Sequence, residues 1–155
     1  MIILGIDPGV HTGYALLDQQ DRTRRPELVL HGTVNAETGT LAERLVKILT
    51  ELVSVIGQAD VAVVEVPSRI TYRRSEGTYG KTLNAESMGL NNRITGAIIG
   101  QLALAGVKVI ERESTWSWQN KASKGATVKA FYKDLGPSSE HSRDAILIAL
   151  TYNGR

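Results

Sequence analysis

The sequence contains no cysteine, and this absence excludes two kinds of site. Without thiols the chain has neither a disulfide framework nor a cysteine-ligated zinc site. Aromatic residues are scarce, at 5% of the 155 residues, whereas hydrophobic residues make up 42%. We therefore expect one domain with a largely aliphatic core.

An excess of charge of one sign is also missing, because the formal net charge is only +2. Any affinity for nucleic acid must then come from uneven placement of the basic residues. No apolar run approaches the roughly 18 to 20 residues of a membrane span, and the first residues lack the basic and apolar regions of a secretory signal peptide. We expect neither a membrane segment nor a signal peptide.

The first strand is the clearest element of the sequence. Residues 2–6 are all apolar or glycine, which is typical of a strand buried on both faces. Asp7 follows at the end of this strand, directly before a Pro-Gly turn signal. An unpaired carboxylate is costly beside a dry strand, so Asp7 either meets a cation or caps the turn with its side chain.

A second strand ends in the same way. Residues 61–64 are apolar, Glu65 follows them, and Pro67 stops the ladder soon afterwards. Taken alone, Glu65 could be a buried acid paired with an arginine. Two buried strands that both end on a carboxylate favour a shared site instead.

The other predicted elements alternate between strands and helices. Thr40 and Glu43 form a capping-box pattern before an amphipathic run. The remaining elements are expected as strands at residues 14–18, 28–34 and 107–110, and as helices at residues 41–56, 85–105, 126–135 and 141–150.

The last helix carries two polar residues at its start. His141 and Asp144 are three residues apart in its first turn and therefore lie on one face. The helix dipole favours an acid there in any protein. The adjacent histidine makes a functional interpretation stronger, because the rest of the helix is apolar and should lie against the sheet.

The polar residues at the ends of the two buried strands and at the start of the last helix together indicate a metal site. Asp7, Glu65 and Asp144 supply hard oxygen ligands and His141 an imidazole, a set that suits two Mg²⁺ or Mn²⁺ ions. Two such ions activate a water and stabilise the leaving oxygen in phosphodiester hydrolysis. We expect Asp7 to bridge the ions, Glu65 to complete one of them, and His141 with Asp144 to complete the other.

Basic and aromatic residues follow Glu65 in a Gly-rich stretch without periodicity, residues 68–87. Such a stretch suits a nucleic-acid backbone and an unstacked base, although a merely solvated loop is the alternative. Lys121 and Lys124 belong to a second basic surface and could steady charge in the transition state. The candidate DNA-binding residues are Arg69, Tyr72, Arg73, Arg74, Tyr79, Lys81, Lys121 and Lys124.

In the order of its predicted elements, the chain resembles the α/β RNase H-like fold. Within that fold it resembles the RuvC type of Holliday-junction resolvase, including phage and divergent bacterial members. The resemblance implies one nuclease domain over residues 1–155, with a mixed five-stranded sheet of three antiparallel and two parallel strands flanked by helices. The motifs that carry it are Gly5-Ile6-Asp7-Pro8-Gly9 with Gly13-Tyr14-Ala15, then Val64-Glu65, then His141-Ser142-Arg143-Asp144-Ala145.

The resemblance also implies an activity. It indicates a homodimeric, Mg²⁺-dependent endonuclease that cuts four-way DNA junctions by symmetrical nicks, in the cytoplasm of a bacterium or of a phage-infected cell. Asp7, Glu65 and Asp144 would be catalytic metal ligands, with His141 at a position where family members have either Asp or His. The long glycine-containing helix at residues 85–105 would form the dimer interface.

One feature departs from the family pattern. Family members usually have an aromatic residue a few positions after the strand-four glutamate, where it stacks on junction bases. Here Arg69 lies near that position and Tyr72 is the closest aromatic residue. The resemblance therefore does not predict which DNA sequence is cleaved.

Other functions fit the sequence less well. The main alternative is a nuclease of the same fold with broader specificity for branched DNA or for RNA–DNA hybrids, because the motifs define the chemistry better than the substrate. An actin-like or sugar-kinase ATP-binding domain needs a second domain, for which 155 residues leave no room. A junction-binding module without catalysis would be expected to lose one or more of the acids, and all of them are present.

Overall fold

Nine helices and strands make up the described part of the chain. The computed structural model describes residues 1–67, 85–113 and 121–152, without the side chains at 85–88 and 121–124. The elements are β1 (Ile2–Asp7), β2 (His11–Asp18), β3 (Glu27–Asn35), α1 (Leu41–Ile56), β4 (Val61–Val66), α2 (Ala85–Leu104), β5 (Lys108–Glu113), α3 (Lys121–Phe131) and α4 (Glu140–Leu150). None of the helices in these ranges is long and apolar enough to cross a membrane.

The five strands form one mixed sheet in the order β3-β2-β1-β4-β5. The β1–β2 and β2–β3 pairs are antiparallel, whereas the β1–β4 and β4–β5 pairs are parallel. This arrangement confirms the predicted sheet. Strand β1 lies at its centre, which explains why its residues are apolar throughout.

Alternate residues of β1 face opposite sides of the sheet. Leu4 and Ile6 belong to the larger core cluster, which the buried residues of α1 and α2 complete. Ile3 packs on the other side, in a cluster with Ala149 of α4. Asp7 faces the same side of the sheet as Ile3. Its side chain therefore lies on the α4 side, at the end of the strand.

Helix α1 begins with the predicted capping box. The Glu43 backbone N–H donates to Thr40 Oγ1 at 3.3 Å, and the Thr40 backbone N–H donates to Glu43 Oε2 at 2.7 Å. Two donors at the helix start are thereby satisfied, and α1 is fixed at the point where the chain leaves β3.

Loss of this cap gives a testable change in stability. Thr40→Ala is expected to lower the free energy of unfolding by about 1 kcal/mol. Urea denaturation of Thr40→Ala beside Thr50→Ala, an exposed threonine inside α1, measures it. Threonine is a weaker helix former than alanine, so Thr50→Ala should be neutral or stabilising. Equal losses in the two variants would contradict a role for the cap.

Three element boundaries differ from the predicted ones. Strand β2 begins at His11 because Gly13 already pairs with Asp7 in the ladder. Strand β5 runs on through charged residues to Glu113, which its position at the edge of the sheet permits. Helix α3 spans Lys121–Phe131 rather than residues 126–135, and it continues through Gly125.

Candidate active site

Two glycines allow α4 to lie directly on the sheet. A Cβ atom at Gly5 would overlap the carbonyl oxygen of Ala145, and one at Gly13 would overlap the carbonyl oxygen of His141. Both obstacles are backbone atoms, so no side-chain rotation could relieve them. The glycines thus set the height of α4 above β1 and β2, with its first turn beside the end of β1.

Side-chain hydrogen bonds fix that first turn. Ser139 is the N-cap of α4, and its Oγ accepts from the Ser142 backbone N–H at 3.0 Å. The Ser139 hydroxyl also hydrogen bonds with the Thr33 hydroxyl of β3, and Arg143 Nη1 donates to the Ser138 carbonyl at 2.7 Å. The start of α4 is therefore attached to the sheet as well as capped.

This placement brings His141 onto Asp7. Its Nδ1 lies 2.9 Å from Asp7 Oδ2, with 18% of the Asp7 side chain and 42% of the His141 side chain exposed. The hydrogen bond to Asp7 raises the pKa of His141, partial burial opposes that rise, and the negative charges of Asp7, Glu140 and Asp144 reinforce it. The predicted pairing of the first strand with the last helix is thus a direct contact.

Glu65 and Asp144 lie at the same edge of the sheet. Ile6 pairs with Val64 in the parallel β1–β4 ladder, so Glu65 is the next residue of β4 beside Asp7. Neighbouring strands are about 4.8 Å apart. Asp144 follows His141 by three residues on α4, and both acids are partly buried. All four predicted catalytic residues therefore come from elements that meet at the end of β1.

The residues fit a divalent ion in chemistry. Three carboxylates and one imidazole are the ligands that Mg²⁺ and Mn²⁺ take. Across residues 1–67, 85–113 and 121–152, no three His, Asp or Glu side chains converge into a ready-made metal site.

Most of the predicted DNA-binding residues fall outside this description. Lys121 and Lys124 belong to the first part of α3, but their side chains are not described. The candidates in the sequence segment after β4 also lie outside the described ranges: Arg69, Tyr72, Arg73, Arg74, Tyr79 and Lys81.

Sequence reasoning missed His11 and Glu37. The His11 ring stacks on His141, with 5.4 Å between ring centroids and 16° between ring planes. His11 Nε2 also lies 2.6 Å from Glu37 Oε1. The alternation of side chains along a strand could have indicated His11. It lies two residues before Gly13 and therefore faces the same side of the sheet.

Comparison with known proteins gives one family match. The family model described as Crossover junction endodeoxyribonuclease RuvC matches residues 3–78, which include Asp7 and Glu65. This match covers just under half of the chain. No curated protein sequence matches it significantly.

Two solved structures bound to Holliday junctions share the fold. Thermus thermophilus RuvC in complex with Holliday junction substrate is 22% identical, with a TM-score of 0.72 over 97% of this chain and 91% of that chain. The Fowlpox virus resolvase in complex with substrate Holliday junction DNA is 15% identical, with a TM-score of 0.62 over 98% and 96% of the two chains. The RNase H-like prediction is confirmed.

Proposed function

We propose that this chain is a metal-dependent endonuclease that resolves four-way DNA junctions, with residues 1–155 acting as one nuclease domain. The observation that carries the proposal is the contact between Asp7 and His141 at the end of β1, beside Glu65 and Asp144. Support comes from the family match and from solved relatives of the same fold that are bound to Holliday junctions. An enzyme with this substrate would work in the cytoplasm, where bacterial or phage DNA is found.

Four side chains would hold the ions. Asp7, Glu65, His141 and Asp144 would bind Mg²⁺, or Mn²⁺ in its place, as two ions per site. Such ions supply an activated water and stabilise the leaving oxygen in phosphodiester hydrolysis. When His141 donates from Nδ1 to Asp7, its lone pair lies on Nε2, and Asp7 keeps Oδ1 as a second acceptor. A carboxylate that holds a ligating histidine in this way fixes the ring orientation.

A homodimer is the second part of the proposal. A Cβ atom at Gly89, Gly96 or Gly100 of α2 would meet no atom of the described residues within 4 Å. Glycine costs a helix about 1 kcal/mol relative to alanine, and no contact of the described residues requires it at these positions. A second copy packed closely against α2 would require small residues there. Two copies would then present two active sites to two of the four strands of a junction.

A substrate comparison tests the proposal. Labelled four-way junction, linear duplex, three-way branch and RNA–DNA hybrid are each incubated with Mg²⁺, with Mn²⁺ and with EDTA. Paired symmetrical nicks confined to the four-way junction, and abolished in EDTA, are the expected result. Equal cutting of all branched DNA would replace junction resolution by general debranching. Cutting of the hybrid alone would retain the chemistry and reject the substrate.

The basic loop after β4 gives a prediction about DNA affinity. Arg73→Ala with Arg74→Ala is expected to weaken junction binding, because each arginine that neutralises a phosphate displaces counterions from the DNA. The slope of log affinity against log salt should fall by roughly one for each phosphate that the variant no longer neutralises. Titrations at several salt concentrations measure both quantities.

A matched pair of arginines provides the control for charge. Arg22→Ala with Arg24→Ala removes the same charge from the loop between β2 and β3, at the opposite end of the sheet from Asp7. The control should keep the wild-type slope. If both double variants behave alike, the loop after β4 contributes only general charge.

A further inference from the structure

The stack between His11 and His141 brings together residues that are distant in sequence. His11 begins β2 and His141 lies in the first turn of α4. Their rings are nearly parallel and stack with an offset, and the edge of the His141 ring is bonded to Asp7. Four side chains thus form a continuous series of contacts, from Glu37 through His11 and His141 to Asp7.

The backbone around His11 is held in place independently of His141. Thr12 is fully buried, and its hydroxyl donates to the Gly9 carbonyl at 2.6 Å, which closes the turn between β1 and β2. The Ala36 N–H donates to the Val10 carbonyl at 2.7 Å, which extends the β2–β3 pairing past the end of β3. Glu37 follows directly and can reach His11 Nε2. His11 therefore presents its ring from a fixed support.

His141 needs such a support. With 42% of its side chain exposed, packing alone does not fix its rotamer. The hydrogen bond to Asp7 restrains one ring atom but leaves the ring plane free to turn about that bond. A second contact, the stack with the His11 ring, limits that freedom. An active-site imidazole has to be held within a narrow range of orientations to bind an ion or to move a proton.

The contacts of His11 are suited to this task rather than to core packing. Its side chain is 32% exposed and its hydrogen-bond partner Glu37 is 57% exposed, so neither fills the interior. Truncation of either side chain leaves no buried cavity. What it removes is the support on His141.

We propose that His11, held by Glu37, is a positioning residue that fixes the ring plane of His141 in the active site. The proposal rests on the proposed nuclease function for its effect on rate, while the contact itself can be measured without any substrate. A residue that acts only by holding the His141 ring should leave junction affinity unchanged.

The experiment combines kinetics with NMR. Single-turnover junction cleavage, junction Kd, and histidine ring ¹⁵N–¹H correlation spectra at one fixed pH are measured for wild type, His11→Ala, His11→Phe and Glu37→Gln. The chain has three histidines, so His141 and His31 alone remain visible in the first two variants. Glu27→Gln, an exposed acid at the other end of β3, is the matched control for Glu37→Gln.

We expect His11→Ala to slow cleavage about threefold to tenfold, the effect of removing one aromatic neighbour, and to shift the His141 ring signals. Junction Kd should stay at the wild-type value. His11→Phe restores a flat ring and should recover the rate to within about twofold, and Glu37→Gln should slow cleavage less than His11→Ala. Glu27→Gln should match wild type.

Two results would overturn the proposal. One is a wild-type rate with unmoved His141 signals in His11→Ala, and the other is a His11→Phe variant as slow as His11→Ala. If His11→Ala does not fold, His11→Phe and Glu37→Gln carry the test, and unmoved His141 signals in Glu37→Gln count against the proposal. If wild type cuts no junction at all, the nuclease proposal fails. The NMR shifts then still support or reject the contact by themselves.

Discussion

Asp7→Asn is expected to reduce junction cleavage by about a thousandfold or more, because Asp7, as a proposed metal ligand, would contribute several kcal/mol to the stability of the transition state. Asparagine keeps the shape of the side chain, and its carbonyl oxygen can still accept a hydrogen bond from His141 Nδ1. The fold should therefore survive. Junction binding should be unchanged or tighter, because the variant removes a negative charge that faces the phosphates.

Single-turnover cleavage and junction Kd, measured side by side, check this expectation. The control is Asp18→Asn, the same substitution at the opposite end of the β1–β2 hairpin, where Asp18 pairs with Ile2 and lies near the N-terminal amine. It should cut at nearly the wild-type rate. Full activity of Asp7→Asn would refute the two-metal assignment, whereas equal losses in both variants would indicate damage to the hairpin rather than to the site.

Gly13→Ala is expected to have the second largest effect. The new Cβ atom would overlap the His141 carbonyl oxygen, and relief requires α4 to move away from β2. Overpacking of this kind costs about 1 to 3 kcal/mol of stability. Displacement of the first turn also separates His141 from Asp7, and a shift of about 1 Å in a catalytic group can cost on the order of a hundredfold in rate.

Thermal unfolding and cleavage kinetics of the same samples separate the two effects. The matched control is Gly57→Ala at the end of α1, where the backbone is already helical and the new Cβ would be in ordinary contact at 3.6 Å. That variant should be as stable as wild type or slightly more stable. A Gly13→Ala protein that cuts normally would show that the height of α4 above the sheet does not govern the site.

Local signals in the sequence predicted the framework of the site well. The apolar run before Asp7 and the similar run before Glu65 could only be central strands, and parallel strands that end on carboxylates bring them to one edge. The Thr40–Glu43 capping box fixed the start of α1. Each of these signals is complete within a few residues, so tertiary contacts had little scope to change it.

Contacts that depend on register and on close approach were not predictable in the same way. The hydrogen bond from His141 to Asp7 depends on how far α4 can descend onto Gly5 and Gly13, which no local pattern encodes. The stack of His11 on His141 joins residues from β2 and α4 that share no local pattern. The predicted bounds of α3 were wrong at both ends, and the helix includes Gly125 despite the low helix propensity of glycine.

The distance along the chain between Asp7 and His141 has a consequence for synthesis. Their hydrogen bond spans 134 residues, one of the longest loops the fold has to close. When the ribosome has released β1 to β4, Asp7 and the two strands beside it, β2 and β4, have been made. His141, which completes the pair, has not. A nascent or prematurely terminated chain would therefore be unable to cut DNA. The order of the elements itself delays a hazardous activity until translation has passed α4.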